Sequence, residues 1–158
     1  MIITIIGGGS TFTAGIVKSI ALRKDELEVD EIRLFDLDRD RQEKVAVVVR
    51  WILDEELKCG IKLTTHYDVE SAYKDADFIF AQMRVGKYAM REMDEKIPLK
   101  HGCVGQETCG AGGLAYGMRT IFPMMEVIDA AEKYAKPTYW ILNYSNPASI
   151  VSEACRVL

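Results

Sequence analysis

Five short apolar, β-rich runs punctuate the chain, at Ile2–Ile6, Ile32–Phe35, Lys62–Thr65, Phe78–Met83 and Thr138–Asn143. The intervals between them are long enough to hold helices, and this alternation predicts βαβ units and a mostly parallel, doubly wound α/β sheet. A helical stretch, Ala14–Arg23, follows the first run. Between the second and third runs, Val45, Val48, Val49, Ile52 and Leu53 recur at three- and four-residue spacing, while Asp40, Arg41, Glu43, Lys44 and Arg50 fill other positions. That spacing predicts an amphipathic helix laid on the sheet. From Ala115 to Tyr134 a further helical pattern carries Ile121, Met124, Met125 and Ile128; Pro123 removes a backbone donor and predicts a start or a kink there. The segment Pro98–Gly117 holds Gly102, Gly105, Gly110, Gly112, Gly113 and Gly117, has no stable period, and reads as a functional or mobile loop. An incipient helix covers Ala148–Leu158. No repeat, low-complexity tract or interdomain linker interrupts the pattern, so one domain over 1–158 is expected.

Composition narrows the partners. With 24 acidic against 20 basic residues and a net charge of -4, the chain lacks the electrostatic footprint for nucleic acid or an anionic membrane surface. Its longest apolar stretches fall far short of the roughly 18 residues of a spanning helix, and Met1 opens directly on β-rich sequence without a basic leader. A cytoplasmic location is the expectation. Cys59, Cys103, Cys109 and Cys155 lie too far apart for a CxxC site and are expected to be free thiols. His66 and His101 are isolated from any cluster with metal-ligand spacing, so no metal site is legible.

Gly7-Gly8-Gly9-Ser10-Thr11-Phe12-Thr13 follows the first strand and opens a helix. In that context glycines allow a tight turn and close approach of a pyrophosphate, and the helix N-terminus offers free N–H groups and a favourable dipole. Ser10, Thr11 and Thr13 add hydroxyls, while Phe12 stands where the usual dinucleotide fingerprint has its third glycine. Asp36 closes the second strand, where a carboxylate accepts hydrogen bonds from ribose hydroxyls and repels a 2′-phosphate. A Rossmann-like NAD site is the favoured reading; a plain strand-to-helix turn beside a solvated strand-end carboxylate is the alternative.

Arg84-Val85-Gly86-Lys87-Tyr88-Ala89-Met90-Arg91 follows the fourth strand and places three cations where doubly wound sheets bind ligands. Arg91 can fork onto phosphate oxygens, and Arg84 or Lys87 can complement cofactor or substrate charge; a solvated basic helix start explains them equally well. Asn146, in Asn143-Tyr144-Ser145-Asn146-Pro147, suits a sugar hydroxyl, though a helix cap is the commoner use of such a residue. Glu107, in Gly105-Gln106-Glu107-Thr108-Cys109-Gly110, is a candidate for proton handling or for tuning a basic partner, with a surface carboxylate as the plain alternative. Cys109 reads as a spectator thiol, since no paired histidine is assignable.

Together, in this order, these four blocks resemble the NAD- and metal-dependent glycoside hydrolases of family four, in their 6-phospho-α-glucosidase branch; the Gly-Gly-Gly-Ser-Thr turn with Phe12 is a variant that family uses. The resemblance implies hydrolysis of phosphorylated α-glucosides such as maltose 6-phosphate by C3 oxidation, C1–O elimination, water addition and re-reduction, an exception to the two-carboxylate scheme. It implies that Gly7, Gly8, Gly9, Ser10, Thr11, Phe12, Asp36 and Arg84 hold NAD, that Arg91 and Asn146 contact the phosphorylated substrate, and that Glu107 raises the basicity of a catalytic tyrosine. A divalent metal, manganese, would stabilise enediolate-like charge. In the family the metal-binding Cys and His, the acid Asp and the base Tyr follow the Asn-Ser-Asn-Pro-like turn. The resemblance therefore implies that residues 1–158 are the N-terminal NAD-binding portion of a longer, homo-oligomeric enzyme, inactive alone and with its metal ligands elsewhere. A 6-phospho-β-glucosidase, an NAD-dependent hydroxy-acid dehydrogenase and a bare NAD-binding or assembly module are the alternatives.

Overall fold

A computed structural model of the chain describes residues 1–157. Two compact units divide it: Met1–Gln82 with Ala130–Leu142, and Met83–Asp129 with Asn143 onward.

The first unit carries a five-stranded sheet of β1 (Ile2–Ile6), β2 (Glu31–Phe35), β3 (Lys62–His66), β4 (Phe78–Ala81) and β5 (Trp140–Asn143), in the order β3-β2-β1-β4-β5. The β1–β2, β1–β4 and β2–β3 ladders are parallel, with Ile5 opposite Leu34 and Phe80. This is the expected doubly wound arrangement, and strand order reverses between β1 and β4. The central strand β1 is buried at Ile3, Thr4, Ile5 and Ile6 in succession, as befits a strand covered on both faces, whereas β2 alternates, with Ile32 and Leu34 buried between Glu31, Arg33 and Phe35. On one face Ile3, Ile5, Ile32 and Leu34 pack with Val17, Ile20 and Ala21 of α1 (Phe12–Ala21) and with Ala46 and Val49 of α3 (Arg39–Trp51). On the other, the buried Thr4 hydroxyl donates to Ala72 O of α4 (Val69–Tyr73) at 2.7 Å, and Arg33 donates to Lys74 O at the same helix's C-terminal end.

The α3 register corrects one expectation. Gln42, Ala46 and Val49 face inward and Leu53 follows them, whereas Val48 is half exposed. Gln42 is tolerated in the core because its Nε2 donates to His66 O at 3.1 Å. The turn Ile52–Glu56 then widens, with Leu57 N donating to Ile52 O, and this phase shift lets Ile52 and Leu53 be buried side by side. A short helix, α2 (Lys24–Leu27), completes the unit's first half.

In the second unit α5 runs Lys87–Lys100, α6 starts at Gly110 and continues to Tyr134 beyond the unit's border, and α7 spans Ala148–Val157. The loop expected over Pro98–Gly117 is thus confined to 101–109. Glycine disfavours helix by about 1 kcal/mol per residue, yet here close packing overrides it. A Cβ on Gly112 would lie 2.5 Å from Asp94 O, and one on Gly117 would lie 2.8 Å from Ile150 Cγ2. Pro123 lies inside α6 and does not begin it. The four cysteines are free, and among the described residues no helix is long and apolar enough to cross a membrane.

Candidate functional site

Two constellations form, one in each unit. In the first, β1 ends at Ile6 and Gly7 takes φ +83°, a left-handed conformation that suits glycine. Gly7 N and Gly8 N both donate to Phe35 O, at 2.9 and 3.1 Å, and Ser10 N donates back to Gly7 O at 2.9 Å. Asp36 closes the far side. Its Oδ2 accepts from Gly9 N and its Oδ1 from Asp38 N, both at 2.9 Å. A Cβ on Gly8 would meet Leu34 Cβ at 2.8 Å, and one on Gly9 would meet Asp36 Oδ2 at 2.9 Å, so the turn lies flat on the end of β2 only because both are glycines.

Above this turn begins α1. Thr11 is its N-cap and makes no side-chain cap, and among the described residues its N–H has no backbone acceptor. Ser10 Oγ accepts from Phe12 N at 3.3 Å, leaving its own proton to donate. Phe12 is mostly exposed. A free amide and two hydroxyls at the positive end of a helix dipole, beside a carboxylate with lone pairs to spare, fit a dinucleotide: diphosphate at the helix, ribose at Asp36. Gly7, Gly8, Gly9, Ser10, Thr11, Phe12 and Asp36 are therefore brought together. Gln82, just past β4, joins them. Its Nε2 donates to Thr13 Oγ1 at 2.6 Å and to Gly7 O at 3.2 Å.

The second constellation joins Arg84, Arg91 and Glu107. Arg84 NH1 lies 2.7 Å from Glu107 Oε1, and Arg91 Nε lies 3.2 Å from Glu107 Oε2 and 2.8 Å from Glu95 Oε1. Arg91 Nε donates its one hydrogen to Glu95 and pairs with Glu107 by charge, and among the described residues no hydrogen bond engages its two terminal nitrogens, which can receive an incoming anion. The Glu95 hydrogen bond, and after it the Glu107 charge, strengthen Arg91's hold on its proton. Arg84 stacks over Tyr88 and Tyr116, at 5.5 and 5.6 Å from the ring centres, and Arg119 lies 5.6 Å from the Tyr116 centre. Burial pushes the Tyr116 hydroxyl's pKa up, so that ring stays neutral between its cations.

Behind this trio, Arg119 forks onto Asp94, which is only 6% exposed, and its Nε donates to Val85 O at 3.4 Å. The pair ties α5 to α6 and to the turn that carries Arg84. Asn146 is exposed in the turn before α7, preceding a cis bond to Pro147; among the described residues no hydrogen bond or ion pair joins it to the trio. The turn is shaped by Asn143, whose Oδ1 accepts from Ser145 N at 2.9 Å.

Asp94, Arg119 and Gln82 escaped the sequence reading. Asp94 shares the inward face of α5 with Pro98, four residues on, which is the signal that could have marked it as buried. Nothing local pairs it with Arg119, nor Gln82 with a turn more than 65 residues earlier. Among the described residues no three His, Cys, Asp or Glu side chains converge in a group that could hold a metal ion.

A family 4 glycosyl hydrolase profile matches residues 2–158. The chain belongs to that family. This family 4 chain is 51% identical over 156 residues to maltose-6′-phosphate glucosidase of Fusobacterium mortiferum, covering 99% of this chain and 35% of that protein. It is similar to a solved 6-phospho-α-glucosidase from gut microorganisms in complex with NAD and glucose-6-phosphate. That structure is 52% identical, with a TM-score of 0.92, over 97% of this chain and 36% of that one. A second 6-phospho-α-glucosidase from gut microorganisms, in complex with NAD and Mn2+, is 45% identical with a TM-score of 0.91, over 98% of this chain and 35% of that one. The family 4 chain thus spans about a third of the length of the relatives it matches.

Proposed function

We propose that this chain is the NAD-binding portion of a cytoplasmic, homo-oligomeric 6-phospho-α-glucosidase acting on phosphorylated α-glucosides such as maltose 6-phosphate. One observation carries the reading: the Gly7–Thr11 turn is pressed onto β2 with Asp36 bonded to Gly9, and it leaves the Thr11 amide and two hydroxyls at the start of α1. NAD bound there supplies a hydride acceptor for the sugar's C3 and returns the hydride at the end of the cycle. Ser10 and Thr11 bind the diphosphate. Asp36 accepts from the ribose hydroxyls, and its charge excludes the 2′-phosphate of NADP. Arg84 adds positive charge for the cofactor.

Arg91 presents its terminal nitrogens to the substrate's phosphate, and Asn146 hydrogen-bonds the sugar. Glu107, paired with Arg84 and Arg91, raises the basicity of a catalytic tyrosine supplied by other residues of the enzyme. The divalent metal, manganese, is likewise held by groups other than these.

Calorimetric titration of the chain tests this. NAD is expected to bind and NADP to bind at least about tenfold more weakly, with Asp36→Ser closing that gap by losing the carboxylate that repels the 2′-phosphate. Arg91→Ala is expected to abolish detectable glucose-6-phosphate binding while leaving NAD affinity unchanged. A folded chain without NAD affinity would overturn the reading.

A further inference from the structure

Gln82 stands just beyond β4, which flanks β1 where the strand order reverses. Its two amide hydrogens reach acceptors at opposite ends of the glycine turn: Gly7 O at 3.2 Å and Thr13 Oγ1 at 2.6 Å, the latter on a fully buried residue of α1. Gly7 O can only accept, which fixes the nitrogen end of the amide toward the turn. The Gly7–Gly8 peptide is thereby held at both edges. Its carbonyl receives Gln82 and Ser10 N, while its N–H donates to Phe35 O on the opposite side. A planar trans peptide bonded on both sides cannot rotate without losing one set of bonds.

We propose that Gln82 is a positioning residue for the dinucleotide, clamping Gly7 to Thr13 so that the turn is already in its binding shape when the diphosphate arrives. The inference rests on the NAD reading above and adds a residue to it. Ordering a loop on binding is subtracted from affinity, and a clamp made beforehand removes that cost. The same side chain carries a liability, since its Oε1 is buried with no hydrogen-bond partner. Methionine, of similar length, would remove both donors and also the orphaned acceptor, so the loss of the clamp is offset in overall stability. That separates positioning from structural support.

Gln82→Met is expected to unfold at the wild-type urea midpoint. Without any ligand, hydrogen exchange at the Ser10 amide, whose acceptor is the clamped carbonyl, is expected to quicken about tenfold. NAD and ADP-ribose are expected to bind about tenfold more weakly, and adenosine, which lacks the diphosphate, with unchanged affinity. Unchanged exchange together with unchanged NAD affinity overturns the proposal, as does an equal loss for adenosine. Should the wild-type chain fail to bind NAD, the proposed function falls, and the ligand-free exchange still decides whether the clamp exists. If the methionine variant does not fold, Gln82→Glu reverses the bond to Thr13, accepting from its hydroxyl, but sets a carboxylate against Gly7 O. It is expected to show the same quickened exchange.

Discussion

Replacing Gly8 by alanine tests whether the nucleotide turn is shaped by contact with β2. The added Cβ would sit 2.8 Å from Leu34 Cβ and 3.1 Å from both Leu34 Cα and Phe35 N. Carbon atoms settle at about 3.5–4.0 Å, so the turn must lift by roughly 1 Å. The wall cannot retreat, because Leu34 is fully buried in a strand paired on both sides. Gly8 has no left-handed backbone, so the penalty is spatial. Overpacking costs about 1–3 kcal/mol. Lifting the turn also weakens the charge-assisted bond from Gly9 N to Asp36, worth about 1.5–3 kcal/mol. These contributions overlap, and together they predict a loss of about 2–4 kcal/mol, or roughly 4–16 °C in Tm for a chain of this size.

Gly15→Ala is the control, since Gly15 is an exposed helical glycine with nothing within 4 Å of its built Cβ. It should gain about 0.5–1 kcal/mol. Urea unfolding followed by circular dichroism, with an NAD titration on each variant, gives both readouts. Gly8→Ala unfolding at the wild-type midpoint with full NAD affinity would refute the steric argument.

The remaining predictions concern the supports of each unit. Asp94→Ala strands the Arg119 guanidinium and is expected to cost about 3–5 kcal/mol, whereas the double variant Asp94→Leu with Arg119→Met should recover part of that loss in the same unfolding assay. His66 lies between Thr64 Oγ1 and Ser71 Oγ, each at 2.9 Å; burial, then the Arg33 charge, pushes its pKa below the ordinary 6.5 against the opposing pull of Glu31 and Asp68, with Lys62 lowering it further. Between the folded and ordinary values the unfolded chain binds a proton that the folded chain refuses, so stability should fall as pH drops through about 6.5. The urea midpoint at about pH 5.5 is then expected to lie below that at pH 7.5, with His66→Gln flattening the difference; equal slopes in both proteins would sink the assignment.

The sheet was legible because its strands are short β-rich runs separated by intervals long enough for helices, and the turn was legible because its glycines and hydroxyls directly follow the first strand while Asp36 directly follows the second. Val48 was misplaced because spacing alone does not choose between adjacent faces, and a glutamine holds an inward position by bonding a neighbouring strand's carbonyl. Gly110–Gly117 looked like a loop because propensity registers glycine's backbone cost but not the close passage of Asp94 and Ile150 that only glycine permits. Arg84, Arg91 and Glu107 were found one at a time. Their union, and the Asp94–Arg119 support behind it, are long-range contacts with no local period.

Each unit is assembled from two separate stretches of chain, and this bears on how the protein comes off the ribosome. When β4 has emerged, the strand that will cover its open edge is still untranslated, and roughly 60 residues belonging mostly to the other unit must be made first. At about 5–20 residues per second that interval lasts several seconds, long enough for a bare strand edge to meet another nascent chain. No single cut can release either unit whole, so a gene truncated between Gln82 and Ala130 would yield a sheet one strand short rather than a smaller working module.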